Sequence, residues 1–204
     1  MSMRKFIKSK LSIIIPTYNE AENINILLEE IINVVKNMDY EIIVVDDGST
    51  DKTVDNIFKS YSQNNKIKII QREFDKGLLQ SIKFALQSIS GEYFLVMDGD
   101  GQHSPKNILT LLKDLEKNDL SIGIRDLEET TSISKKRSLL SKFFNSIVGY
   151  IFKKKLSDPL TGFFAGNINI LNKKFFSLNN SGFKILLELI YCNKDKNFKI
   201  SETI

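Results

Sequence analysis

Cysteine, histidine and tryptophan are nearly missing from this chain: its 204 residues hold one Cys, one His and no Trp, with three Pro. A single cysteine, Cys192, excludes an internal disulfide and a multi-cysteine zinc site, and agrees with a reducing compartment. With His103 as the single histidine, a Ser-His-Asp or Cys-His nucleophilic mechanism has no support. No uninterrupted apolar run reaches the roughly 18 residues a transmembrane helix needs. The N-terminus is basic (Arg4, Lys5, Lys8, Lys10), but its apolar stretch runs only from Leu11 to Ile15 before Pro16, too short for a signal peptide. Glycine loops that cradle phosphate are missing too, since neither GxxxxGKS/T nor GxGxxG occurs. The chain is expected to be soluble, or at most to sit on a membrane surface.

What is present is an ordinary folded composition, 42% hydrophobic and 26% charged, which rules out disorder and collagen-like order. The length suits one domain over residues 1–204 with a sizeable core. Its net charge of +4 conceals an asymmetry. Between Thr131 and Ser157 stand Lys135, Lys136, Arg137, Lys142, Lys153, Lys154 and Lys155 with no acidic residue, so +7 lies there and −3 elsewhere. A basic body that binds nucleic acid is therefore not expected.

Short apolar runs alternate with helical periodicity from residue 11 to residue 117. Leu11–Ile15, Ile42–Val45, Ile67–Ile70 and Tyr93–Met97 read as strands. Between them, Ile24, Leu27, Leu28, Ile31, Ile32 and Val35 recur at helical spacing, with Asn19 or Glu20 as candidate caps. A second helix is expected over about Asp51 to Gln63 with Val54, Ile57, Phe58 and Tyr61 inward, and a third over Leu78–Ile89. Ser104-Pro105 opens another, proline being tolerated in a first turn. The pattern predicts an α/β fold with a mostly parallel central sheet and helices on both faces. Strands apolar throughout, rather than alternating, require both faces to be covered. Beyond Ile124 one long helix is expected over Ser132–Phe152, then a strand at Phe163–Ile170, a helix at Phe183–Tyr191 and a strand from Phe198. The last residues, Ser201 to Ile204, carry no stop signal, and the chain reads as cut short there.

In open α/β sheets, ligands bind beyond the carboxyl ends of the strands. Three such ends are polar: Pro16-Thr17-Tyr18-Asn19-Glu20, Asp46-Asp47-Gly48-Ser49 and Asp98-Gly99-Asp100. Paired carboxylates on a turn can direct oxygens at one hard cation, Mg²⁺ or Mn²⁺, and leave positions open for phosphate oxygens. Asp-Gly pairs also serve simply as turns. His103 reads either as a residue at a helix start or as a contact to metal or acceptor.

The blocks Ser12–Glu20 (SIIIPTYNE), Val44–Asp51 (VVDDGSTD), Met97–Pro105 (MDGDGQHSP), Ser157–Ala165 (SDPLTGFFA) and Gly182–Glu188 (GFKILLE) together resemble the family-2 inverting glycosyltransferases of GT-A fold. Within that group they look like the polyprenyl-phosphate sugar synthases. The resemblance implies a nucleotide-sugar-binding half at 10–125 and an acceptor-binding half at 126–204. It implies that Pro16, Tyr18, Glu20 and Asp47 line the nucleoside pocket. Asp98, Asp100 and Gln102 would hold the divalent cation. Arg125, and Arg137 with Ser141, would receive the phosphate of a polyprenyl or dolichyl phosphate. Asp158 and Gly162-Phe163 would border the sugar. A cytoplasmic place at the membrane face and a membrane partner subunit also follow. One departure stands out: Lys76-Gly77-Leu78-Leu79 lacks the second glycine usual in that loop.

The basic segment suits a lipid-linked acceptor. Leu139, Leu140, Phe143, Phe144, Ile147, Val148, Ile151 and Phe152 form one apolar face over about 133–152, with lysines at its ends. Such a helix either lies on an anionic membrane surface or packs on the sheet. A saccharide acceptor, or an inactive nucleotide-binding module that recruits a membrane partner, are the alternatives the sequence leaves open.

Overall fold

The computed structural model describes residues 9–74, 77–124, 156–178, 185–194 and 197–203. Chain order is β1 Leu11–Thr17, α1 Ile24–Val35, β2 Tyr40–Asp46, α2 Thr53–Tyr61, β3 Ile67–Gln71, α3 Leu78–Gln87 and β4 Tyr93–Val96. A 3-10 turn at Pro105–Asn107 leads into α4 Ile108–Asp114, then β5 Leu120–Gly123 and β6 Phe164–Asn167. A second 3-10 turn at Ile168–Ile170, α5 Lys173–Ser177, α6 Ile185–Asn193 and β7 Ile200–Thr203 complete the described elements. The expected 133–152 helix lies outside the described residues.

The strands form a seven-stranded sheet in the order β3-β2-β1-β4-β6-β5-β7. Only β6 runs antiparallel to its neighbours, β4 and β5. Residues of β1 divide between the two faces, as the two-residue period of a strand requires. Leu11, Ile13 and Ile15 join Ile24, Leu28 and Ile31 of α1, Ile57 of α2 and Leu111 of α4 on one side. Ile14 joins Ile82 and Ala85 of α3, Phe175 of α5 and Leu186 and Leu189 of α6 on the other. Each fully buried Ile or Leu contributes roughly 1.5–3 kcal/mol, so the apolar runs alone commit these segments to the middle of the sheet.

Three expectations are corrected. Phe58 is 64% exposed, while its neighbour Ile57 is fully buried. Ile57 takes the inward side of α2, and Phe58, about 100° further round the helix, faces outward. Neither Asn19 nor Glu20 caps α1 by its side chain; Asn23 holds the cap position without a side-chain bond. Asn19 instead adopts φ 58° and accepts the Thr50 amide. The strand expected over Phe163–Ile170 stops at Asn167, where the Asn167 side chain accepts the Asn169 amide and starts a 3-10 turn.

At the amino ends of the strands, buried Glu41 joins three segments. Its Oε1 accepts Ser12 Oγ (2.7 Å), Ser90 Oγ (2.7 Å) and the Ser90 amide (2.8 Å), while Oε2 meets Lys68 Nζ at 2.8 Å. Burial pushes the carboxyl up, but the Lys68, Ser90 and Ser12 bonds outweigh it and bring the pKa down to about 2.

Candidate active site

The strand order reverses between β1 and β4, whose connections leave in opposite directions. Such a switch point opens a crevice at the carboxyl edge. Here it is a cleft of about 370 Å³ lined by Pro16, Thr17, Tyr18, Glu20, Asp47, Leu78, Ser81, Asp98, Gly99 and Asp100. Every residue expected at the nucleoside pocket, and two of the three expected at the cation, thus share one cavity. Gln102 is not among the lining residues; its amide donates to Asp100 Oδ1 at 3.0 Å and shapes the turn. Arg125, Arg137 and Ser141 lie outside the described residues.

The two aspartates at the end of β2 have separate tasks. Asp46 is fully buried and structural. Its Oδ1 accepts the Gly48 and Ser49 amides at 3.1 and 2.9 Å, and its Oδ2 accepts Thr17 Oγ1 at 3.2 Å and Ser49 Oγ at 2.5 Å. This ties the end of β1 to the end of β2. Asp47 faces the cleft. Its Oδ2 accepts the Gly77 amide at 2.7 Å, and its Oδ1 accepts Ser81 Oγ at 3.1 Å. Gly77 makes that contact at φ 138°, a conformation other residues rarely adopt. The position where the family loop usually carries a second glycine, Leu79, packs against the core instead.

Arg72, just after β3, escaped the sequence reading. Its Nη1 donates to Ser81 Oγ at 2.9 Å and stands 3.6 Å from Asp47 Oδ1. Ser81 Oγ therefore accepts a hydrogen bond from Arg72 and donates its own to Asp47. The clue was an arginine on the same sheet edge as Asp47. Two loops close the rim. Asn19 N donates to Ser49 Oγ, Glu20 N to Thr53 Oγ1 and Ala21 N to Asp51 Oδ2. The Thr53 hydroxyl, ahead of the Ala21 and Thr53 amides, holds the Asp51 carboxyl below its usual range.

Asp98 and Asp100 follow β4. The backbone of Gly162 packs against Asp98 so closely that a Cβ there would lie 1.9 Å from Oδ2. Of the residues expected beside the sugar, Gly162 thus meets the Asp98 carboxylate and Phe163 meets the His103 ring. His103, expected as a helix-start residue or a ligand contact, is buried, with Nε2 3.3 Å from Thr161 Oγ1 and its ring 5.0 Å from that of Phe163. Among the described residues, no cluster of three or more His, Cys, Asp and Glu could hold an ion unaided. Two carboxylates are nonetheless hard oxygen donors of the kind Mg²⁺ or Mn²⁺ prefers, and they leave positions for phosphate oxygens. The donor set fits a cation bound together with a diphosphate.

Residues 12–177 match the model of glycosyl transferase family 2, and the chain belongs to that family. It is 37% identical over 199 residues to a dolichol-phosphate mannosyltransferase of Pyrococcus furiosus, covering 95% of this chain and 55% of that one. It is 30% identical over 152 residues to an undecaprenyl-phosphate 4-deoxy-4-formamido-L-arabinose transferase of Photorhabdus laumondii, covering 73% and 46%. The chain therefore spans about half the length of these two relatives. Its fold is shared with the GT-A glycosyltransferases. One example is a Pyrobaculum calidifontis mannosyltransferase solved with GDP-mannose and Mn²⁺ (TM-score 0.68, 15% identity, 96% of this chain and 55% of that chain).

Proposed function

We propose that this chain transfers a hexose, with inversion, from a nucleotide sugar such as GDP-mannose or UDP-glucose to a polyprenyl phosphate at the cytoplasmic membrane face. The observation that carries the reading is the cleft in which Tyr18, Asp47, Asp98 and Asp100 converge at the β1–β4 switch point. The two relatives named for dolichol phosphate and undecaprenyl phosphate support the acceptor. No described helix is long and apolar enough to cross a membrane.

In this reading Pro16, Tyr18, Glu20 and Asp47 hold the nucleoside, with Arg72 and Ser81 keeping the Asp47 carboxylate in place. Asp98, Asp100 and Gln102 hold Mg²⁺ or Mn²⁺, which when bound offsets the negative charge that builds on the leaving diphosphate. The acceptor needs no strong base. A phosphate monoester has its second pKa near 6 and is largely dianionic at neutral pH. Positioning and charge compensation suffice, and Arg125, Arg137 and Ser141 are assigned to them, because guanidinium binds phosphate oxygens in a bidentate fork. The residues beyond 126 form the acceptor-binding half.

The test is incubation with Mn²⁺, polyprenyl phosphate and a panel of labelled nucleotide sugars, followed by organic extraction. Label entering the lipid phase with one donor supports the reading. Label that stays in the aqueous phase with every donor refutes the acceptor assignment.

A further inference from the structure

Thr161 stands where three segments meet. Its Oγ1 donates to the Gly123 carbonyl at 3.0 Å, accepts the Phe163 amide at 3.2 Å and lies 3.3 Å from His103 Nε2. Thr161, His103 and Phe163 are all buried. A hydroxyl has one proton to give, and Gly123 receives it, so the imidazole nitrogen facing Thr161 must carry a proton of its own. The His103 ring lies on Phe163 at a tilt of 32°. Phe163 in turn covers Gly123, where a Cβ would come within 2.2 Å of its ring. The residue between Thr161 and Phe163 is Gly162, whose backbone occupies the space beside the Asp98 carboxylate.

We infer that Thr161 and His103 form a latch that positions Asp98 by holding the Gly162 backbone against its carboxylate. The inference rests on the reading that Asp98 binds the cation. Both latch residues act through Gly162 and not on the cation itself, so they are positioning residues. Their effect is to restrict the orientations open to a carboxylate that has to present its oxygens to an ion. Groups that orient a metal ligand in this way typically govern about 10- to 100-fold of metal affinity.

His103 is the sole histidine, so the imidazole ¹⁵N resonances of the labelled protein belong to one residue. The latch predicts a protonated Nε2 at neutral pH in the wild type. A neutral ring protonated at Nδ1 alone overturns it. Calorimetric titration of Mn²⁺ in the presence of GDP or UDP then compares variants. Thr161→Val, which removes the hydroxyl, is expected to weaken Mn²⁺ about tenfold or more, and Thr161→Ser to stay within about threefold of wild type. Equal affinity in Thr161→Val and wild type, or equal loss in both variants, overturns the latch. Should Thr161→Val fail to fold, His103→Leu replaces it and His103→Gln, which keeps a donor, is its rescue, with the same two outcomes. A wild-type chain that takes up no Mn²⁺ with either nucleotide overturns the cation reading and the latch with it. That result is distinct from one in which wild type and Thr161→Val bind alike.

Discussion

Replacing Gly162 with alanine is the sharpest perturbation of the cleft. The new Cβ would stand 1.9, 2.1 and 2.2 Å from Asp98 Oδ2, Cγ and Oδ1, where real contacts stay beyond 3.0 Å. Either the 161–163 backbone or the Asp98 side chain must move by more than 1 Å. Overpacking of this kind costs about 1–3 kcal/mol. In a chain of this length that lowers Tm by roughly 2–4 °C per kcal/mol. The catalytic cost is larger, because a misplacement of about 1 Å at reacting groups removes about 100-fold in rate. Gly166→Ala supplies the control. Its Cβ would meet Phe94 and Ile170 at 2.8 Å, in the core and away from the cleft. The assay is transfer of label to polyprenyl phosphate at a temperature where both variants are folded, with Tm measured in parallel. Both variants should lose stability, and Gly162→Ala alone should lose about two orders of magnitude in turnover. If Gly162→Ala turned over within threefold of wild type, or if the two variants lost activity in step with Tm, the placement of Asp98 in the chemistry would be wrong.

Further outcomes are expected elsewhere. Asp98→Asn and Asp100→Asn should each abolish transfer while leaving Tm within a few degrees of wild type, as read by lipid-phase label and calorimetry. Arg72→Met should raise the donor KM more than it lowers kcat, because Arg72 secures Asp47 through Ser81 and lies away from Asp98. Glu41 should make the protein acid-sensitive. Its folded pKa of about 2 lies below the ordinary 4.5, so its stabilisation is complete above about pH 4.5 and fades as pH falls toward 2. That difference corresponds to roughly 3 kcal/mol, and urea titrations should show Glu41→Gln flattening the loss over this window. Lys83→Met should destabilise by about 1.5–3 kcal/mol in urea titrations, since it removes a charged partner 2.5 Å from Glu188, a buried carboxylate.

Strands β1, β2 and β4 could be read from the sequence because each is an apolar run closed by a polar cluster, and two-sided burial leaves no other use for such runs. The carboxyl-edge site followed from the same pattern, since Tyr18, Asp47, Asp98 and Asp100 all fall just past those runs. Finer assignments failed where chemistry depends on distant neighbours. Asp46 and Asp47 are identical side chains one residue apart. Thr17 from another strand makes the first a buried tie, and Gly77 and Ser81 draw the second into the cleft. Arg72 falls in none of the quoted blocks, and Thr161 falls in SDPLTGFFA without any sign of a role; only tertiary packing puts the one beside Asp47 and the other beside His103. Phe58 misled because helical spacing allows either it or Ile57 to turn inward, and packing against α1 chose Ile57.

The proposed transfer requires Asp98 and Asp100 to grip a divalent ion which in turn grips a nucleoside diphosphate. The most direct measurement is the anomalous difference map of a crystal soaked with Mn²⁺ and GDP or UDP. A Mn²⁺ peak is expected within about 2.0–2.4 Å of carboxylate oxygens of both residues and of a diphosphate oxygen. A nucleotide seated in the cleft with no peak at these aspartates, or a peak at some other carboxylate, would contradict it.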